Sequence, residues 1–79
     1  FLLEVRPEQR LWREDLDAKI DVTRRLAREF GCRYVPLDGL MAAEACRRPM
    51  EELCADGVHP TEAGARLIAQ AWVDTACRD

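Results

Sequence analysis

Two short apolar runs, Phe1–Val5 and Cys32–Leu37, stand on either side of a long stretch with helical period, and this order constrains the fold more than any other feature of the chain. The first run (FLLEV) is stopped by Arg6-Pro7, and the second (CRYVPL) carries Pro36 near its end, where a missing amide donor disturbs a strand least. Between them, from about Glu8 to Phe30, Trp12, Leu16, Ile20, Leu26, Ala27 and Phe30 fall in one apolar stripe of a helix. Glu14, Asp17, Asp21, Arg24, Arg25 and Arg28 fall opposite. Lys19 interrupts the stripe, and its stem is expected to lie along it with the ammonium in water. Gly31 offers the positive-φ residue that closes a helix. Strand, helix, strand is a βαβ unit with a right-handed crossover, so the two strands are expected to lie parallel. An α/β fold with a parallel sheet follows, and two strands are too few to complete one.

Beyond the second run, Asp38 is placed to cap a short helix through about Arg47, which Pro49 ends. Residues 50–60 read as a connecting loop, and Thr61 as the N-cap of a final helix to about Cys77. On that helix Gly64, Leu67, Ile68, Ala71 and Trp72 share one face, opposite Glu62, Arg66, Gln70 and Asp74. Trp12 and Trp72 read as core residues, and the pairs Arg24-Arg25 and Arg47-Arg48 as solvated faces. There is no internal repeat and no linker, so residues 1–79 read as a single incomplete domain. The opening Phe1-Leu2-Leu3 lies in the middle of an apolar run with no charged segment before it and no small-residue cleavage site after it. It reads as the start of a piece cut from something longer rather than as a signal peptide.

Charge and cysteine usage exclude several classes. A net charge of −3 argues against nucleic acid as a partner, which requires a basic face. No apolar run approaches the length of a membrane span. The four cysteines, Cys32, Cys46, Cys54 and Cys77, include no C-x-x-C pair, so the strongest zinc and redox signals are missing. Two disulfides would allow three connectivities. The chain lacks the texture of a stapled mini-domain, and free thiols acting as small apolar residues are expected, which points to a reducing, cytoplasmic compartment. Eleven Arg against one Lys, with eleven Ala, resembles the bias of GC-rich bacterial coding.

One short block carries chemistry. Ala55-Asp56-Gly57-Val58-His59-Pro60-Thr61 contains the only histidine of the chain and a carboxylate three residues before it. Asp-Gly makes a tight turn, and Pro60 keeps His59 out of the helical region. His59 is thereby presented on a loop just ahead of a helix start. A carboxylate at this spacing can fold back to accept the Nδ1 proton, leaving Nε2 free as a base. The plain alternative is an ordinary turn followed by a solvated histidine.

Asp56-Gly57-Val58-His59-Pro60-Thr61, followed by Ala63-Gly64-Ala65 and the apolar Leu67-Ile68-Ala69, resembles the last conserved block of the SGNH hydrolases, the GDSL-type esterases and lipases. The order of elements before it is similar too, so the resemblance spans essentially the whole chain. It implies the C-terminal βαβ-plus-helices portion of a three-layer α/β/α, flavodoxin-like domain with a parallel sheet. It also implies a serine ester hydrolase in which His59 is the general base and Asp56 its orienting carboxylate. An ester is the implied substrate, and no cofactor or metal is implied. Leu53 stands where the family often carries an aromatic residue. The family's nucleophilic serine and its oxyanion-hole asparagine have no counterpart here, because the chain holds neither Ser nor Asn. The isolated chain is therefore expected to lack activity.

Three other readings of the same residues stand beside this one. Cys54 could act as a nucleophile with His59 as its base. Cys54, Asp56 and His59 could hold a metal ion. The chain could also be a non-enzymatic module that associates through its bare apolar faces, by dimerising or by complementing a missing N-terminal half.

Overall fold

Pro7 sets the backbone for a run of tight 3-10 turns over Pro7–Trp12, which passes directly into α1, Arg13–Phe30. At its far end Gly31 takes φ 65°, and Cys32 N–H donates to the carbonyl of Ala27 at 2.8 Å, closing the helix in the left-handed conformation that glycine adopts freely. A segment without regular structure over 32–36 leads into α2, Leu37–Ala45. A single 3-10 turn, Met50–Glu52, precedes a loop that ends at α3, Glu62–Ala76. The structure, a computed structural model, describes residues 1–77.

The expected α/β fold with a parallel sheet is not what forms. Among the described residues there is no strand, and the sole β-type pairing is an isolated antiparallel bridge between Cys54 and Pro60. The hydrogen bonds of the two apolar runs explain why. Val5 N–H turns back to the Leu3 carbonyl at 2.8 Å, and Leu37 N–H to the Val35 carbonyl at 2.9 Å, so each run is closed by a three-residue turn before a ladder can start. Leu3 N–H, which a sheet would have used, donates instead to the Gly57 carbonyl at 2.9 Å. The runs still lie over one helix: Phe1, Tyr34 and Val35 border an open groove with Leu16 and Ile20 of α1, but they do not pair. A sequence that alternates apolar run, helix and apolar run thus gives helices joined by irregular segments.

The core is small. Leu3, Met41, Leu53 and Cys54 form its buried centre, with Val5, Ala45, Met50, Leu67 and Ile68 packed against it. α1 buries no residue. Trp12, Leu26 and Phe30 are 50%, 47% and 71% exposed, and Trp72 of α3 is 60% exposed, so neither tryptophan is a core residue. The stripe exists as its spacing implies, but little covers it. Leu16, Ile20 and Ala27 are half-buried, and polar contacts add to what ties α1 down. Arg13 donates to the Leu2 carbonyl and to Glu4, both at 2.9 Å. Arg24 pairs with Asp38 at 3.1 Å and lies 5.7 Å from the centre of the Tyr34 ring. Arg24 thus bridges α1 to α2 while staying on a solvated face, its side chain 46% exposed. Asp38 sits inside the first turn of α2 and does not cap it, Pro36 being the N-cap. Lys19 borders the same groove as Leu16 and Ile20, and its ammonium pairs with Asp15 in solvent. No disulfide forms among the described residues: Cys54 is buried as a small apolar residue, but Cys32, Cys46 and Cys77 are exposed. No helix among them is long and apolar enough to cross a membrane.

Candidate active site

The loop that carries Asp56 and His59 begins in the core. Leu53 and Cys54 are buried, and their amides both donate to the Met50 carbonyl at 2.9 Å. The far end of the loop is fastened to the same place. Thr61 N–H donates to the Leu53 carbonyl at 2.8 Å, and the Thr61 hydroxyl lies 2.6 Å from the Glu52 carbonyl and 3.0 Å from that of Leu53. The same hydroxyl accepts the Gly64 amide at 3.1 Å, so Thr61 caps α3 as its position predicts. Gly64 is required by this closure: a Cβ there would stand 2.2 Å from the Leu53 carbonyl oxygen.

Between these fixed ends the chain turns at Gly57, which takes φ 88° and donates its N–H to the Cys54 carbonyl at 3.1 Å. A Cβ on Gly57 would meet the Leu3 carbonyl oxygen at 2.2 Å and the side-chain amide of Gln9 at 2.6 and 3.0 Å. The turn is organised from within by Asp56. Its Oδ1 accepts the amides of Val58 at 2.9 Å and His59 at 2.7 Å, an Asx turn. Its Oδ2 lies 2.6 Å from His59 Nδ1. The structure thus brings Asp56 and His59 together.

The electrostatics follow from these bonds. The backbone amides of His59 and then Val58, followed by the His59 ring, hold the Asp56 carboxyl well below the usual carboxylate range. Ionised, it can only accept, so Nδ1 of the neutral ring carries the proton and Nε2 bears the lone pair. The His59 side chain is 83% exposed, so Nε2 is open to an approaching group.

Cys54 offers no such chemistry. It is fully buried, and its thiol is pushed up by burial and by the neighbouring Asp56 charge, the reverse of what a nucleophilic thiol needs. Nor does it join Asp56 and His59 as a donor set: among the described residues no group of three or more His, Cys, Asp or Glu side chains stands close enough to hold a metal ion. One residue at the site escaped the sequence reading altogether. Gln9 is 1% exposed and donates its side-chain N–H to the Asp56 carbonyl at 2.5 Å. No periodicity marks it, because it lies in a 3-10 stretch between charged neighbours and its partner is 47 residues away.

A carboxylate-held imidazole with its outer nitrogen in solvent can take a proton from a hydroxyl and return it to a leaving group, the chemistry of hydrolases that work by acyl transfer. Residues 3–72 match the family model of the GDSL-like lipase/acylhydrolase. The chain belongs to this family, the GDSL-like lipases and acylhydrolases. No curated protein and no solved structure gives a significant match.

Proposed function

We propose that this chain supplies the histidine and the aspartate of a serine ester hydrolase, with His59 as general base and Asp56 as the carboxylate that orients it. The observation that carries the reading is the 2.6 Å approach of Asp56 Oδ2 to His59 Nδ1 beside an open Nε2. Acting on an ester, His59 Nε2 takes the proton of a serine hydroxyl as that oxygen attacks the carbonyl carbon. It returns the proton to the departing alkoxide, then repeats the cycle with water to release the acid. The serine and the oxyanion donors come from outside these 79 residues, which contain no Ser and no Asn. Alone, the chain gives no ester turnover beyond that of a free imidazole.

Association is the companion reading, favoured by the large apolar side chains left in solvent: Leu11 at 77%, Phe30 at 71% and Trp72 at 60% exposure. The chain dimerises or pairs with the remainder of its hydrolase through these faces. Sedimentation at micromolar concentration tests this, and a well-behaved 9.0 kDa species with a cooperative melt would overturn it.

The catalytic reading is tested in the intact protein with a serine-directed phosphonate and a His59→Ala variant. The phosphonate should label a serine outside residues 1–79, and His59→Ala should abolish turnover of a nitrophenyl ester. A His59→Ala enzyme that keeps its rate, or turnover that the phosphonate leaves untouched, would overturn it.

A further inference from the structure

We propose that Gln9 is a positioning residue for the Asp56–His59 pair, setting the direction in which His59 Nε2 points; this rests on the catalytic reading above. Among the described residues, the hydrogen-bond partners of the Asp56 carboxylate all lie inside the loop, on Val58 and His59. The turn is therefore closed on itself, and its aim is set by what holds its backbone from outside. Two consecutive carbonyls face the N-terminal segment: Asp56 accepts from the Gln9 side chain at 2.5 Å, and Gly57 accepts from Leu3 N–H at 2.9 Å. Gln9 is itself held, since its Oε1 accepts the Arg6 amide at 2.9 Å, and it is buried to within 1%. Both halves of the amide are thus bonded, one to its own segment and one to the loop. The fit is close enough that the space a Cβ would take on Gly57 is filled by Gln9 and the Leu3 carbonyl.

A buried amide that joins the backbone of a triad aspartate to a distant segment has two separable roles. It fills space and satisfies the Arg6 amide, which is structural. It also orients the Asp56 peptide, and through it the ring. Displacing a catalytic group by about 1 Å costs on the order of 100-fold in rate. The second role therefore shows as a fall in kcat with KM unchanged, because Gln9, 1% exposed, offers no surface to a substrate.

The test uses the intact protein, with rates expressed per folded molecule. Gln9→Glu keeps the shape and the acceptor for Arg6 N–H and, once ionised at alkaline pH, has no donor for the Asp56 carbonyl. It should lower kcat 10- to 100-fold and leave KM within about twofold. Gln9→Met, of similar volume and uncharged, should give the same split, and it serves where a buried carboxylate prevents folding. Wild-type kcat in either folded variant would overturn the proposal, as would a loss confined to KM or to the folded fraction. His59→Ala, run alongside, separates the two claims. If it keeps full activity, the catalytic reading itself fails; if it abolishes activity while the Gln9 variants do not reduce kcat, only the positioning role fails.

Discussion

Asp56 grips His59 twice, through the main chain and through the ring: Oδ1 accepts the His59 amide at 2.7 Å while Oδ2 lies 2.6 Å from Nδ1. One carboxylate therefore sets both the backbone position and the tautomer of the residue it orients. In Asp56→Asn an oxygen can still accept the two amides, but an NH₂ then faces Nδ1, and the ring answers by moving its proton to Nε2. The intact enzyme should lose on the order of 10⁴ in kcat, as in the analogous serine-protease substitution. Nitrogen NMR of the imidazole should show the tautomer reversed.

The same contacts make Asp56 an acid-sensitive element of stability. Its folded-state carboxyl is held below the ordinary value by the His59 and Val58 amides and by the ring, so folding favours the ionised form. Its contribution is fully present above the unfolded value of about 3.9 and is lost as the pH falls below that. Urea midpoints measured from pH 6 down to pH 2 should fall less steeply in Asp56→Asn than in wild type.

Gly64→Ala sets two effects against each other. Helix propensity alone favours alanine by about 1 kcal/mol within α3. The new Cβ, however, would stand 2.2 Å from the Leu53 carbonyl oxygen, a backbone atom that cannot swing aside. The clash should prevail, with a net destabilisation on the order of 1–3 kcal/mol in chemical denaturation.

Core and stripe should respond in opposite ways to truncation. Leu53 is 1% exposed at the root of the loop, and Leu53→Ala should cost about 2–5 kcal/mol. Leu11, 77% exposed, should change folding stability by no more than about 0.5 kcal/mol on truncation. Both are read from thermal or urea unfolding.

Acrylamide should quench both tryptophans efficiently in the dilute monomer, since Trp12 and Trp72 are 50% and 60% exposed in a single chain. Emission that is blue-shifted and poorly quenched in dilute monomer would contradict this arrangement.

The helices were legible in the sequence because their signals are local. Gly31 closes α1, Thr61 starts α3, and the D-x-x-H-P spacing places a carboxylate beside an imidazole; each depends on residues at most a few positions apart. The sheet was misread because apolar runs such as Phe1–Val5 report burial, not pairing. Leu2 and Leu3 are indeed buried, but against the loop and α2 rather than beside another strand. The exposure of Trp12 was hidden for a related reason: periodicity fixes which face a residue lies on, and says nothing about whether anything packs there. Gln9 was invisible because its role comes wholly from a partner distant in the chain.

The self-contained turn at Asp56 bears on the order in which the site is assembled. Its internal hydrogen bonds span two or three residues, so little loop-closure entropy opposes them and they can form in a chain that is otherwise open. The bonds from Leu3 and Gln9 require the whole chain to have come together. In a hydrogen-exchange experiment the Leu3 amide should report global opening, while the exposed amides of Val58 and His59 exchange through local fluctuation. The geometry of the pair thus needs only the loop itself, whereas its alignment needs the N-terminal segment in place.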